Sequence, residues 1–141
     1  MEYEVVVVED LDADRVLVED ALNAVGLGED VKSLRTGAEA MDYLAELEAD
    51  HDKARVPLLL VLDLILPQVS GWEVLDWLEQ HVWFAPMVRL VLSKLEDSAS
   101  MQRAYSLGAH AYVCKAALQH DPKILTRVFH GYWLFAQRIG S

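Results

Sequence analysis

Apolar runs rich in β-branched residues alternate along the chain with stretches in which apolar residues return every third or fourth position. Val5–Val8 is the first such run, and its four β-branched side chains predict a strand. From Asp12 onward, Val18, Ala21, Leu22 and Val25 keep helical spacing until Gly26 and Gly28 end the pattern. The unit then repeats. Val31–Arg35 predicts a short second strand, and Thr36 is placed to cap a helix whose Ala40, Tyr43, Leu44 and Leu47 share a face. The polar stretch 49–57 ends in Pro57 and reads as a loop. Leu58–Leu62 predicts the third strand; after a turn of Pro67, Ser70 and Gly71, a third helix carries Leu75, Leu78 and Val82 until Pro86 breaks it. Met87–Leu92 predicts the fourth strand. A helix around Met101, Ala104 and Tyr105 ends at Gly108, and His110–Cys114 predicts the fifth strand. Pro122 falls in the first turn of a last helix expected over residues 122–138.

Strict alternation of strand and helix implies an α/β fold, because parallel strands are joined by crossover connections and helices then cover both faces of the sheet. The expected architecture is a doubly wound five-stranded parallel sheet of flavodoxin-like order 2-1-3-4-5. Its 141 residues suit a single domain, and no repeat or linker divides them. A single domain spanning 1–141, with no separate second domain, is expected.

Charge and composition narrow the function. The chain carries 12 basic and 23 acidic residues, a net charge of −11, with no lysine and arginine cluster to neutralise a phosphate backbone, so no nucleic acid partner is expected. Apolar stretches such as Leu58–Leu62 are far shorter than the roughly 20 residues that span a bilayer, and no membrane association is expected. The acidic start MEYEVVVVED does not resemble a secretory signal, which points to a cytoplasmic protein. Cys114, the single cysteine, has no partner within the chain and reads as a strand residue.

One residue breaks the apolar pattern. Asp63 stands inside LLLVLDLILP, where an unpaired charge buried on both faces costs several kcal/mol, roughly. A loop position or a helix cap would explain it trivially. In a parallel sheet, however, the residues just past each strand meet along one edge, where such sheets bind ligands. Glu9 and Asp10 follow strand one, Asp63 ends strand three, Ser93 ends strand four and Lys115 follows strand five. Strands one and three are neighbours at the switch point, so Glu9, Asp10 and Asp63 converge. Three carboxylates together ionise only if a cation offsets them, and Mg²⁺ suits a small site of oxygen ligands. One carboxylate could then attack phosphorus, with Lys115 and Ser93 taking the phosphoryl oxygens.

These residues resemble the receiver domain of two-component response regulators over nearly the whole chain. VVVVED carries the acidic pair, LDLILPQVSGWEVL the phosphoacceptor with Pro67 and Gly71, VLS the switch hydroxyl, and AYVCKA the lysine and an aromatic. The resemblance implies a signalling module rather than an enzyme, with Asp63 taking a phosphoryl group from a partner histidine kinase. It implies that Glu9, Asp10, Asp63 and the Ile65 backbone carbonyl bind Mg²⁺. It also implies that Ser93 and Tyr112 move together as a switch. The long loop before strand three and the ending YWLF look most like the stand-alone regulators that partner bacteriophytochrome kinases.

Two residues depart from the family pattern. Ala116 stands where proline usually follows the lysine, which predicts a different loop path and a less firmly placed Lys115. Lys94 follows the switch hydroxyl where a small residue is usual, and its ammonium is expected at the pocket entrance or paired with Asp63. A receiver-like module working without phosphorylation is one alternative. Another is a haloacid-dehalogenase-type phosphatase, since Asp10-Leu11-Asp12 resembles that family's start and would make Asp10 the nucleophile. Finally, apolar residues cover roughly half the circumference of the last helix, more than one docking face requires. A homodimer using Phe129, Tyr132, Trp133 and Ala136 is therefore expected.

Overall fold

Strands and helices alternate as β1 (Val5–Val8), α1 (Asp12–Ala24), β2 (Val31–Leu34), α2 (Gly37–Ala49), β3 (Leu59–Asp63), α3 (Gly71–Glu79), β4 (Val88–Ser93), α4 (Ser98–Ser106), β5 (Ala111–Cys114), α5 (Lys115–His120) and α6 (Ile124–Gly140). The structure is a computed structural model that describes residues 4–50 and 55–140, with side chains described as far as Tyr132. The five strands form one parallel sheet in the order β2-β1-β3-β4-β5, as the alternation predicts.

Successive residues of a strand face opposite sides, and here both sides are apolar. Val6, Val8, Leu60, Leu62 and Val91 meet Ala40 and Leu44 of α2, Val74, Leu75 and Leu78 of α3, and Ala104 of α4. Val5, Val7, Leu59, Val61 and Leu90 meet Val18 and Leu22 of α1, Leu118 of α5, and Leu125 and Phe129 of α6. Phe129 is fully buried. It was expected on a dimer face, but α6 is rotated so that Leu125 and Phe129 fill the space over α1 and the sheet; truncating Phe129 to alanine would cost about 3–5 kcal/mol.

Strand ends move by one residue in several places, and three differences change the picture. The strand expected to end at Leu62 extends to Asp63, which excludes a loop position for that carboxylate. The third helix ends at Glu79 rather than at Pro86: Val82 lies in a separate 3-10 turn, Val82–Phe84, with its side chain in solvent while Trp83 and Phe84 turn inward. The last helix, expected over 122–138, begins only at Ile124, past a turn at Pro122 and Lys123, and it is preceded by a short helix the sequence reading did not expect, α5 over Lys115–His120.

Local caps hold these boundaries. Thr36 accepts a hydrogen bond from the Glu39 N–H, and Ser70 forms a reciprocal capping box with Glu73 at the start of α3. Gly71 matters to the site, because a Cβ there would fall 2.2 Å from the Asp63 carbonyl oxygen. Only glycine lets α3 close this tightly on the end of β3, and the Gly71 N–H donates to the Leu64 carbonyl at 2.9 Å. Gly108 ends α4 at φ +96°, as its C′ position requires.

Candidate functional site

The polar residues predicted at the strand ends do meet along the C-terminal edge of the sheet. Register places Val8 beside Leu62 and Asp63 beside Leu92, so Glu9, Asp63 and Ser93 come from three adjacent strands. Glu9 is 1% exposed, Asp63 3%, Ser93 0% and Lys115 7%, in a protein whose other buried side chains are apolar but for Arg89 among the described residues. Burial of four polar groups at one edge is costly unless each is paired, and the pairing is nearly complete.

Asp63 Oδ1 accepts the Ile65 N–H at 2.9 Å, and Asp63 Oδ2 accepts the Lys115 ammonium at 2.8 Å. Glu9 Oε1 accepts the Leu11 N–H at 3.2 Å. Its Oε2 lies 2.9 Å from Lys115 Nζ as an ion pair, but it makes no aligned hydrogen bond. Burial above all pushes the Glu9 carboxyl up to about 7, and the nearby Asp63 charge adds to this against the pull of Lys115. For Lys115, burial disfavours the ammonium, yet hydrogen bonds to Asp14 and Asp63 and the Glu9 carboxylate beside it outweigh the burial and raise its pKa.

Asp10 is half-buried beside this group, and Glu9, Asp10 and Asp63 offer carboxylate oxygens that all lie within 4.8 Å of one another. A hard divalent cation fits this donor set. The buried Glu9 Oε2, which makes no hydrogen bond, is the kind of atom such an ion completes. The Ile65 carbonyl lies on the loop directly after Asp63, whose N–H already serves that carboxylate.

Ser93 and Tyr112 share a backbone unit. The Leu95 N–H donates to Ser93 Oγ at 3.1 Å, while the Tyr112 hydroxyl donates to the Leu95 carbonyl at 2.8 Å. Partial burial raises the Tyr112 pKa, and a hydrogen bond with Ser93 opposes it. Cys114 is half-buried with its thiol 3.9 Å from the same carbonyl, and burial raises its pKa, away from the thiolate that redox work requires.

Several expectations are corrected here. Lys115 is not loosely placed: Ala116 continues a helix that opens at Lys115 itself, and the ammonium is held by three carboxylates. Lys94 is exposed and has no ion pair with Asp63 among the described residues; it borders a cavity of about 280 Å³ with Asp14, Leu17, Lys115 and Ala116. Asp12, the second acid of Asp10-Leu11-Asp12, pairs at the surface with Arg15 and Arg35. Asp14 is the residue sequence reasoning missed. It lies 2.8 Å from Lys115, and the signal was present: Asp14 stands four and seven residues before Val18 and Ala21, on the buried stripe of α1.

Residues 5–128 match the family of the response regulator receiver domain. The chain belongs to that family. The receiver is 30% identical over 92% of its length to the probable methanogenesis regulatory protein FilR2 of Methanothrix harundinacea, covering 83% of that protein. It is 27% identical to the response regulator Rcp1 of Synechocystis over 92% of this chain and 88% of Rcp1. The Mn²⁺-bound form of Rcp1 superposes with a TM-score of 0.77, covering 89% of this chain and 91% of that one at 27% identity. The phosphorylated cyanobacterial phytochrome response regulator RcpA gives 0.79 at 28% identity, covering 94% and 95%. This receiver is thus similar to stand-alone, phytochrome-associated regulators, as the sequence reading expected. No helix among its described residues is long and apolar enough to cross a membrane.

Proposed function

We propose that this receiver is a phosphorylation-switched signalling module in which Asp63 accepts a phosphoryl group from the phosphohistidine of a partner histidine kinase. The observation that carries the reading is the Lys115 ammonium, 2.8 Å from Asp63 Oδ2 in a buried cluster with Glu9, one strand away from the Ser93 hydroxyl. This combines a nucleophilic carboxylate, a fixed cation and a hydroxyl donor on three strand ends, which is the set that phosphoryl transfer uses.

In the transfer, an Asp63 oxygen bonds to phosphorus as the P–N bond breaks, and the electron pair leaves with a ring nitrogen of imidazole. The phosphohistidine reacts with its other ring nitrogen protonated, so the imidazole departs neutral, and the Asp63 carboxylate carries no proton to be removed, so no general base is required. Lys115 and Ser93 then hold phosphoryl oxygens. The bound cation would be Mg²⁺, held by Glu9, Asp10, Asp63 and the Ile65 carbonyl, and it would neutralise charge on the transferred group. When Ser93 turns to the phosphoryl group, it gives up the Leu95 N–H, and the Leu95 carbonyl that holds Tyr112 moves with it. The switch therefore reads out as a change of surface near β5 and α4, recognised by a downstream protein.

The likeness to RcpA, described as a phytochrome response regulator, supports a phytochrome-type kinase as the donor. A homodimer through the outer face of α6 is part of the proposal. Tyr132 is half-buried and donates to the His110 carbonyl at 3.0 Å, whereas the side chains of Trp133 and Ala136 lie outside the described residues.

Phosphorylation by a small donor with a P–N bond, phosphoramidate, tests the reading. Intact mass should show one phosphoryl adduct that requires Mg²⁺ and is absent from Asp63→Asn. Wild-type protein that never acquires the adduct would favour a receiver-like module working without phosphorylation.

A further inference from the structure

The Lys115 ammonium makes two aligned hydrogen bonds, and only one of them goes to Asp63. The other goes to Asp14 Oδ2, also at 2.8 Å, from the first turn of α1. Glu9 Oε2 approaches to 2.9 Å without hydrogen-bond alignment. The three carboxylates differ in what else they can serve. Glu9 and Asp63 belong to the group able to hold a divalent cation, whereas Asp14 does not. A cation in that group takes up the charge of Glu9 and Asp63 and repels Lys115 across a few ångströms of a buried site.

Lys115 has a second electrostatic handicap. It is the first residue of α5, where the helix dipole disfavours a positive charge, and Cys114 before it offers no side-chain cap. Asp14 is the one neighbour whose negative charge is not shared with the cation group. Its side chain is 23% exposed against 2–3% for Glu9 and Asp63, at the wall of the cavity it shares with Leu17, Lys94 and Ala116. Its contact with Lys115 therefore lies nearer solvent than those of Glu9 and Asp63.

We infer that Asp14 is a positioning residue, which anchors Lys115 while the acidic group holds a divalent cation and while Asp63 carries a phosphoryl group. This rests on the function proposed above. When Asp63 is phosphorylated, the hydrogen bond from Lys115 to Asp63 passes to a phosphoryl oxygen, and the bond to Asp14 fixes the direction from which the ammonium approaches. Without Asp14, Lys115 falls back on Glu9 and Asp63 and competes with the cation for them.

The test is Mg²⁺ binding by calorimetry, which needs no phosphorylation, in a double-mutant cycle of the full chain. Asp14→Asn should weaken Mg²⁺ binding by about fivefold, the size of an ordinary coupling between contacting residues, and Asp14→Glu should recover most of the loss. In a Lys115→Ala background the Asp14→Asn change should have less than about a twofold effect, because the ammonium it restrains is gone. Equal weakening in both backgrounds would reduce Asp14 to a distant charge and overturn the inference, as would wild-type affinity in Asp14→Asn. Failure of the wild-type protein to take a phosphoryl group at Asp63 would overturn the proposed function instead, and the metal cycle reads Asp14 separately.

Discussion

Tyr112 donates its phenolic hydrogen to the carbonyl of Leu95, 2.8 Å away, and so ties β5 to the loop that follows Ser93. Because the Leu95 N–H is the group that Ser93 Oγ accepts, one peptide segment links the switch hydroxyl to the aromatic. Removing the phenolic hydroxyl should cost about 0.5–1.5 kcal/mol, the net value of a partly buried hydrogen bond. Urea unfolding of Tyr112→Phe checks this, with phosphoramidate labelling alongside. Stability should fall while adduct formation persists, since Tyr112 does not touch Asp63 in this structure. Unchanged stability would show that the Leu95 contact contributes nothing.

A long-lived phosphoryl group is expected. Ile65 lies two residues after Asp63 and Leu95 two residues after Ser93; Ile65 is 49% exposed, at the mouth of the site, and neither side chain can orient an attacking water. The double substitution Ile65→Asn with Leu95→Glu should speed phosphate loss by about an order of magnitude, about 1.4 kcal/mol off the barrier. A decay rate that stays the same or slows in the double variant speaks against this.

His110 gives the fold a pH dependence away from the acidic cluster. The Arg89 N–H donates to His110 Nδ1 at 3.0 Å, which requires that nitrogen to be unprotonated. Partial burial of the ring, followed by the Arg89 charge, lowers its pKa, with Glu79 acting the other way. The unfolded chain therefore takes up the proton first, at about pH 6.5, and stability from His110 is complete above that value and lost as pH falls toward the lower folded pKa. Urea midpoints between about pH 7.5 and 5.5 should drop less in His110→Gln than in the wild type. Parallel curves would remove His110 from the account.

The dimer proposal now rests on a narrower face of α6. Phe129 faces the core, so Phe129→Glu is expected to unfold the chain rather than separate two copies. Sedimentation at micromolar concentration should show a dimer for the wild type and a monomer for Trp133→Glu. A wild-type monomer throughout, or a dimer unaffected by the substitution, contradicts the pairing.

What could be read from the chain and what could not divides along physical lines. Asp63, Glu9, Asp10, Ser93 and Lys115 were legible because strand ends in a parallel sheet have fixed positions, so polar residues at those ends reveal a shared edge. Asp14 carried a similar signal, an acid on an apolar helical stripe. It passed unnoticed because acids in a helix's first turn are favoured by the dipole alone. The inward orientation of Phe129 was not legible, since a half-apolar wheel does not say how the helix is rotated; packing against α1 and the sheet decides that. Val82 matched the helical period of α3 yet lies in a 3-10 turn, because α3 already ends at Glu79 and only Trp83 and Phe84 of the turn reach the core. The firm seat of Lys115 depends on Asp14, 101 residues away along the chain, and no local reading of the residues around Ala116 could supply it.

The central claim is that Asp63 is the residue that becomes phosphorylated, and reductive trapping addresses it most directly. An acyl phosphate is cleaved by borohydride, which converts the phosphorylated aspartate to homoserine in place. After treatment with Mg²⁺ and phosphoramidate, then borohydride, peptide mass spectrometry of the wild type should place homoserine at position 63 and at no other acid. Homoserine at Asp10, or an adduct that survives in Asp63→Asn, would contradict the account.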